Sequence, residues 1–139
     1  MNFLPEDDQE FLNENTIRHE LLVEKLPDGT DRRGVLFPGF ALTGNLLAAQ
    51  NGNLAPCTTC DLLVVIPSGY ATTKLDSFYT LPRLKRSDGN DPQNANVDQA
   101  LFQKNWQFWS RHLDDSDWRM GKDGLRTFLS YIRNELRSA

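Results

Sequence analysis

Hydrophobic positions recur along the chain with two different periods, and these divide it into elements. Pro5 suits the first position of a helix over about residues 5–14, with Glu6, Asp7 and Asp8 near its positive end and Phe11 and Leu12 facing inward. From Thr16 to Leu26, the residues Ile17, His19, Leu21 and Val23 alternate on one face, which predicts a strand. Pro27-Asp28-Gly29 is a turn signal. A second strand runs from Arg33 to Leu42 through Val35, Phe37 and Phe40, and Pro38-Gly39 within it predicts a bulge or bend. Residues 43–60 are rich in Gly and Asn and read as a loop, with a short turn at 46–49. Leu62-Leu63-Val64-Val65-Ile66 is an unbroken apolar run, as expected of a strand covered on both faces. Ser77 to Lys85 suits a fourth strand, and residues 86–96 form a long polar loop, either a functional flap or a mobile segment.

The last third of the chain changes character. Residues 98–109 concentrate Leu101, Phe102, Trp106, Phe108 and Trp109, and Asp114-Asp115-Ser116-Asp117 then reads as a turn. Leu125, Phe128, Leu129, Ile132 and Leu136 form one helical stripe, with Asp123 placed to cap the helix and Arg133 and Arg137 at its negative end. Helix, four-strand meander, long loop and C-terminal helices make an α+β fold.

Composition narrows the function classes. A chain of 139 residues with 39% hydrophobic and 24% charged residues is ordinary globular material for one domain over residues 1–139. The net charge of −4 argues against nucleic acid or an anionic membrane as partner. No apolar run approaches a membrane span, and the acidic start MNFLPEDDQE is unlike a signal peptide, so a cytoplasmic protein is expected. Charge is uneven: residues 1–31 hold nine acidic and two basic residues. That excess is either a solvated helix face or a docking surface for a basic partner. Cys57 and Cys60 form a single CxxC ahead of an apolar strand, half a zinc site at most and in the wrong context for a redox motif. His19 and His112 lack paired spacing. No metal and no cofactor are expected.

Leu62 to Ile66 leads into Pro67-Ser68-Gly69-Tyr70, and this strand with its Pro-x-x-Tyr turn resembles the ubiquitin-conjugating enzyme (UBC) fold. The segments Trp109-Ser110-Arg111-His112 and Trp118-Arg119, followed by the helix at Leu125, look more specifically like a prokaryotic branch of that superfamily from bacterial ubiquitin-like conjugation operons. The resemblance covers about residues 5–137. It implies two partners, a ubiquitin-like modifier and a cognate adenylating activating enzyme, and a deconjugating protease encoded nearby. Antiviral defence is a further implication, carried by no residue of its own.

The departures from the family pattern are chemical. No cysteine follows Cys60, the His-Pro-Asn tripeptide is missing, and Thr72-Thr73-Lys74 stands where the family has a proline pair. Ser110 lies at the family cysteine's offset from Trp118. A serine there would carry the modifier as an oxyester, provided a base takes its proton. His112, two residues on, suits that work, oriented by Asp114, Asp115 or Asp117. Asn94, Asn96 or Asn105 would support the oxyanion. Arg111 and Arg119 either pair with the acids at 114–117 or touch the modifier's tail, and Glu6, Asp7 and Asp8 would meet the activating enzyme. Two functions lead, a modifier transferase working through Ser110 and a binding module of the same fold that accepts no acyl group, ahead of a small redox or metal protein built on Cys57 and Cys60.

Overall fold

The computed structural model describes residues 2–70 and 72–139, without the side chain of Asp115. The expected α+β class holds, with helices and antiparallel sheets in one chain. The chain runs α1 (Glu6–Glu14), β1 (Glu20–Lys25), β2 (Asp31–Ala41), β3 (Leu47–Gln50), β4 (Asn53–Pro56) and β5 (Thr59–Ile66). It continues with β6 (Phe78–Leu81), β7 (Leu84–Lys85), β8 (Val97–Leu101), β9 (Lys104–Trp109), a 3-10 turn at Asp115–Asp117 and α2 (Leu125–Ser138).

The strand layout differs from a four-stranded meander. Among the described residues, a six-stranded sheet has the order β1-β2-β5-β6-β9-β8, and a three-stranded sheet the order β4-β3-β7. Three local features account for the change. The segment read as loop at 43–60 holds the hairpin β3–β4, turned by Asn51 and Gly52, both at positive φ as a type I′ turn requires. The expected strand over 77–85 breaks at Leu81-Pro82 into β6 and β7, which join different sheets. The aromatic segment 98–109 is a hairpin, β8–β9, so α2 is the one α-helix described in the C-terminal third.

Alternation along the central strands sorts side chains onto two faces. Val35 and Phe37 of β2, Leu62, Val64 and Ile66 of β5, Phe78 and Trp109 face the helices and form the main core. The apolar stripe of α2 fills the other side of that core, with Phe128, Leu129 and Ile132 fully buried. Leu62, Leu63 and Val64 have no exposed surface, as the unbroken apolar run predicts. The register shift between Phe37 and Phe40, with Gly39 at φ 64°, is the expected bulge. Val23 shares the face of Leu21 but stays 58% exposed on the edge strand β1.

The sheet's outer face carries a second cluster of Leu36, Leu63, Leu101 and Trp106. The β8–β9 hairpin extends past the end of β6 and folds back across this face. Its turn residue Phe102 lies against Gly34, where an added Cβ would meet the Phe102 ring at 2.9 Å. Phe102 and Gln103 both have positive φ (49° and 66°), a costly backbone for non-glycines that the packing of the Phe102 ring offsets.

Helix α2 is not capped by Asp123. Asp8, buried on α1, accepts the Leu125 backbone N–H at 3.0 Å and the Tyr70 hydroxyl proton on its other oxygen. Gly124 permits this approach, since a Cβ there would stand 2.4 Å from Asp8 Oδ1. Asp123 accepts instead from the Arg119 backbone and guanidinium and from Thr127. These bonds, that from the Arg119 side chain first, hold its carboxyl down at about 2.

Burial raises the Asp8 carboxyl above its ordinary 3.8, against the opposing hydrogen bonds from Tyr70 and Leu125. The folded chain then holds this proton more tightly than the unfolded chain. The stability that Asp8 contributes is complete below the unfolded value and falls as pH rises through the folded one. Asp8→Ala should cost about 2 kcal/mol in denaturant melts, by orphaning the Leu125 N–H and the Tyr70 hydroxyl. Asp8→Asn should cost less and flatten the decline in stability above about pH 4.

Candidate functional site

Ser110 follows β9 directly, and its placement is set from three sides. Its N–H donates to the Asn94 carbonyl at 2.9 Å, which ties it to the polar 86–96 loop. The same loop is fixed from beneath by Gln107, a fully buried amide on β9. Gln107 Nε2 donates to the carbonyls of Leu84 and Ala95, and its Oε1 accepts from the Leu84 N–H and the Thr80 hydroxyl. Thr80 in turn accepts from the Trp109 indole at 2.9 Å. Lys85 and Arg83 pair with Asp91 at 2.7 and 3.3 Å. The polar loop at 86–96 is thereby tied to β7 through Asp91, to β9 through Ala95 and to Ser110 through Asn94.

Arg111 fixes the third side. Its Nε meets Glu135 of α2 at 2.6 Å, its Nη1 donates to the Gln93 carbonyl, and its guanidinium lies 5.1 Å from the Trp109 ring centroid. Sequence reasoning offered Arg111 the acids at 114–117, but Glu135 holds it, because α2 packs alongside the end of β9. The chain after Ser110 is pinned by Ser77, which bonds the Arg111 backbone, and by Asp76, which accepts the Leu113 N–H at 3.1 Å.

These constraints leave an open cleft of about 940 Å³. Ser110, His112 and Asn94 all line it, opposite Tyr131 and Glu135 of α2. Ser110 is exposed, and so is the His112 ring, at 78%. Among the described residues, Asp76 pairs with His112, its Oδ2 standing 3.7 Å from Nδ1. Asp114 is otherwise engaged, its side chain facing the Ser116 N–H and its carbonyl the Asp117 N–H. The side chain of Asp115 lies outside the described residues. Asn96 is exposed beyond the lining of the cleft, and Asn105 sits opposite Ala100, five positions back along β9 and roughly 17 Å away. Of the three candidate asparagines, Asn94 alone reaches the cleft.

The remaining candidate residues belong elsewhere. Glu6 and Asp7 are exposed on α1, and Asp7 lines a second, smaller groove between α1 and the start of α2. Asp8 is excluded as a docking residue by its burial. Arg119 lines that second groove and pairs with Asp123, so it shares no surface with Arg111. Trp106, Trp109 and Trp118 are core residues. Cys57 is half-buried and donates to the Thr59 carbonyl, whereas burial pushes the Cys60 thiol up to about 12. Neither cysteine lines the cleft. His19 bonds the carbonyl of Ile17, and among the described residues no three His, Cys, Asp or Glu side chains converge as a metal site.

The family model described as prokaryotic E2 family E matches residues 4–139. The chain belongs to that family. No curated protein and no solved structure matches it. As an E2-like protein of prokaryotes, this family E chain fits the resemblance read from its Pro-x-x-Tyr and Trp-Ser-Arg-His segments. Among its described residues, no helix is long and apolar enough to cross a membrane.

Gln107, Asp76 and Glu135 of the family E chain's site escaped the sequence reading. Gln107 carried a signal, a lone amide within Trp106-Gln107-Phe108-Trp109 that must be buried and so must be bonded. Asp76 carried none, since only the folded chain brings it to His112. Gln107→Leu keeps the volume but orphans several buried groups of Leu84, Ala95 and Thr80. It should cost on the order of 3 kcal/mol and speed amide exchange at residues 84–95 before the central strands open, as read by hydrogen exchange.

Proposed function

We propose that this protein accepts the C-terminal carboxyl of a ubiquitin-like modifier from an activating enzyme and holds it as an oxyester on Ser110. The observation that carries the reading is a serine at the family's nucleophile offset, exposed in a polar cleft that it shares with His112 and Asn94. The modifier's carbonyl reaches the protein already activated. Ser110 Oγ attacks that carbon, the bond to the activating enzyme's leaving group breaks, and His112 takes the hydroxyl proton. The Asn94 side chain is offered to the tetrahedral oxygen. A polar cleft suits an extended peptide tail, whose backbone needs hydrogen-bonding partners, better than it suits an apolar ligand. The energy of the transfer comes from the activating enzyme, so this chain needs no cofactor for it. A cytoplasmic location goes with this reading.

Docking of the activating enzyme falls to the exposed acids of α1, Glu6 and Asp7, which call for a basic partner surface. A second reading, a binding module that holds the modifier without a covalent bond, is favoured by the position of Cys57 and Cys60 outside the cleft.

Incubation with ATP, the cognate modifier and its activating enzyme separates the two readings. The expected product on a denaturing gel resists thiol and is cleaved by hydroxylamine. Ser110→Ala should abolish it, and Ser110→Cys should make it thiol-labile. An adduct that survives Ser110→Ala would rule out the assignment, and no adduct with retained modifier binding would favour the module. Reversing Glu6 and Asp7 to lysine should slow association with the activating enzyme several-fold at low salt and less at high salt. An unchanged on-rate would exclude this docking face.

A further inference from the structure

We infer that Ser110, His112 and Asp76 form an acyl-transfer relay competent on its own, one that takes acyl groups from simple activated esters without modifier or activating enzyme. The inference rests on the proposed role of Ser110 and adds to it a positioning residue, Asp76, and a second substrate class.

The argument starts from the geometry of Asp76. The carboxylate divides its oxygens between two tasks. Oδ1 accepts the Leu113 N–H at 3.1 Å and lies 3.8 Å from the Lys74 ammonium, which also bonds the Leu113 carbonyl. Asp76 is thereby bound to the backbone one residue past His112. Oδ2 is turned to the His112 ring, 3.7 Å from Nδ1. A carboxylate so fixed favours the tautomer with its proton on Nδ1, and this leaves Nε2 as the base. His112 and Ser110 line the same cleft; Asn94 holds the Ser110 N–H and Ser77 holds the backbone of Arg111 between them. Nucleophile, base and a third group orienting the base constitute the general arrangement for activating a hydroxyl. At 3.7 Å the two groups are within ion-pair range, close enough for the carboxylate to bias which ring nitrogen carries the proton.

With p-nitrophenyl acetate, Ser110 Oγ attacks the acetyl carbon and the bond to p-nitrophenolate breaks. His112 takes the serine proton and passes it to solvent, which returns the imidazole to its neutral form. Water then attacks acetyl-Ser110: one of its protons passes through His112 to Oγ as the ester bond breaks, and its oxygen leaves in acetate with the second proton released to solvent.

The test uses the full chain with p-nitrophenyl acetate, with the acetylated residue located by mass spectrometry. The expected label is on Ser110. His112→Ala should slow its formation about a hundredfold and Asp76→Asn about tenfold. Asp76→Glu should recover most of the rate. Nitrogen-15 NMR should show the His112 proton on Nδ1 in the native chain and shared between both nitrogens in Asp76→Asn, a signature that a purely structural role for Asp76 would not move. Ser110 labelling no faster than in the unfolded chain would overturn the relay. So would labelling or a tautomer balance indifferent to Asp76→Asn. Acetylation of Ser110 without a modifier adduct would leave the relay standing and sink the modifier reading, so the two fail separately.

Discussion

A single buried carboxylate joins three parts of the fold that are distant in sequence. Asp8 comes from α1, Tyr70 from the Pro-x-x-Tyr turn after β5, and the Leu125 N–H from the start of α2. An unsatisfied amide at a buried helix start is expensive, and so is a buried carboxylate without donors. Each corrects the fault of the other, and Gly124 makes room for the meeting by having no side chain. The position of α2 over the sheet follows from this contact together with its apolar stripe. Because α2 supplies Tyr131 and Glu135 to the cleft, the site depends on a bond formed at the opposite end of the helix.

Among the described residues, Ser110 is held through its backbone and the contacts of its neighbours rather than by bonds to its own hydroxyl. The Gln107 amide spends all four of its hydrogen-bonding positions beneath the loop, and the Arg111 guanidinium closes the gap between the loop and α2. Such an arrangement leaves the hydroxyl accessible while fixing where it sits. Rigid support around an open reactive atom is what a carrier of acyl groups requires.

Legibility in the sequence followed the physical range of each interaction. The α2 stripe, the doubly covered β5 and the bulge at Pro38-Gly39 depend on near neighbours in the chain, and each was readable. The Asn51-Gly52 turn was readable as well, but its short flanking strands hid it within a polar loop. The Phe102-Gln103 turn gave no signal, because neither residue favours positive φ and the compensation comes from Gly34, far away in sequence. The site divides in the same way. Ser110, His112 and Asn94 could be named from spacing and residue type, whereas Asp76, Glu135 and the cap from Asp8 arise only when distant segments meet. Asp114 and Asp117 look like partners for His112 and Arg111 because they are close along the chain, but among the described residues Asp76 and Glu135 take those places.

Helix α2 also acts as a ruler. Arg126 and Thr127 line the groove beside the acidic α1, and Glu135 lines the cleft of Ser110. Nine helical steps separate Arg126 from Glu135, a span of roughly 14 Å. Meanwhile the folded-back hairpin, wedged by Phe102, seals the central part of the sheet's far side. Two clefts that open on one stiff rod keep a fixed spacing, so neither can be displaced along the sheet without carrying the other with it.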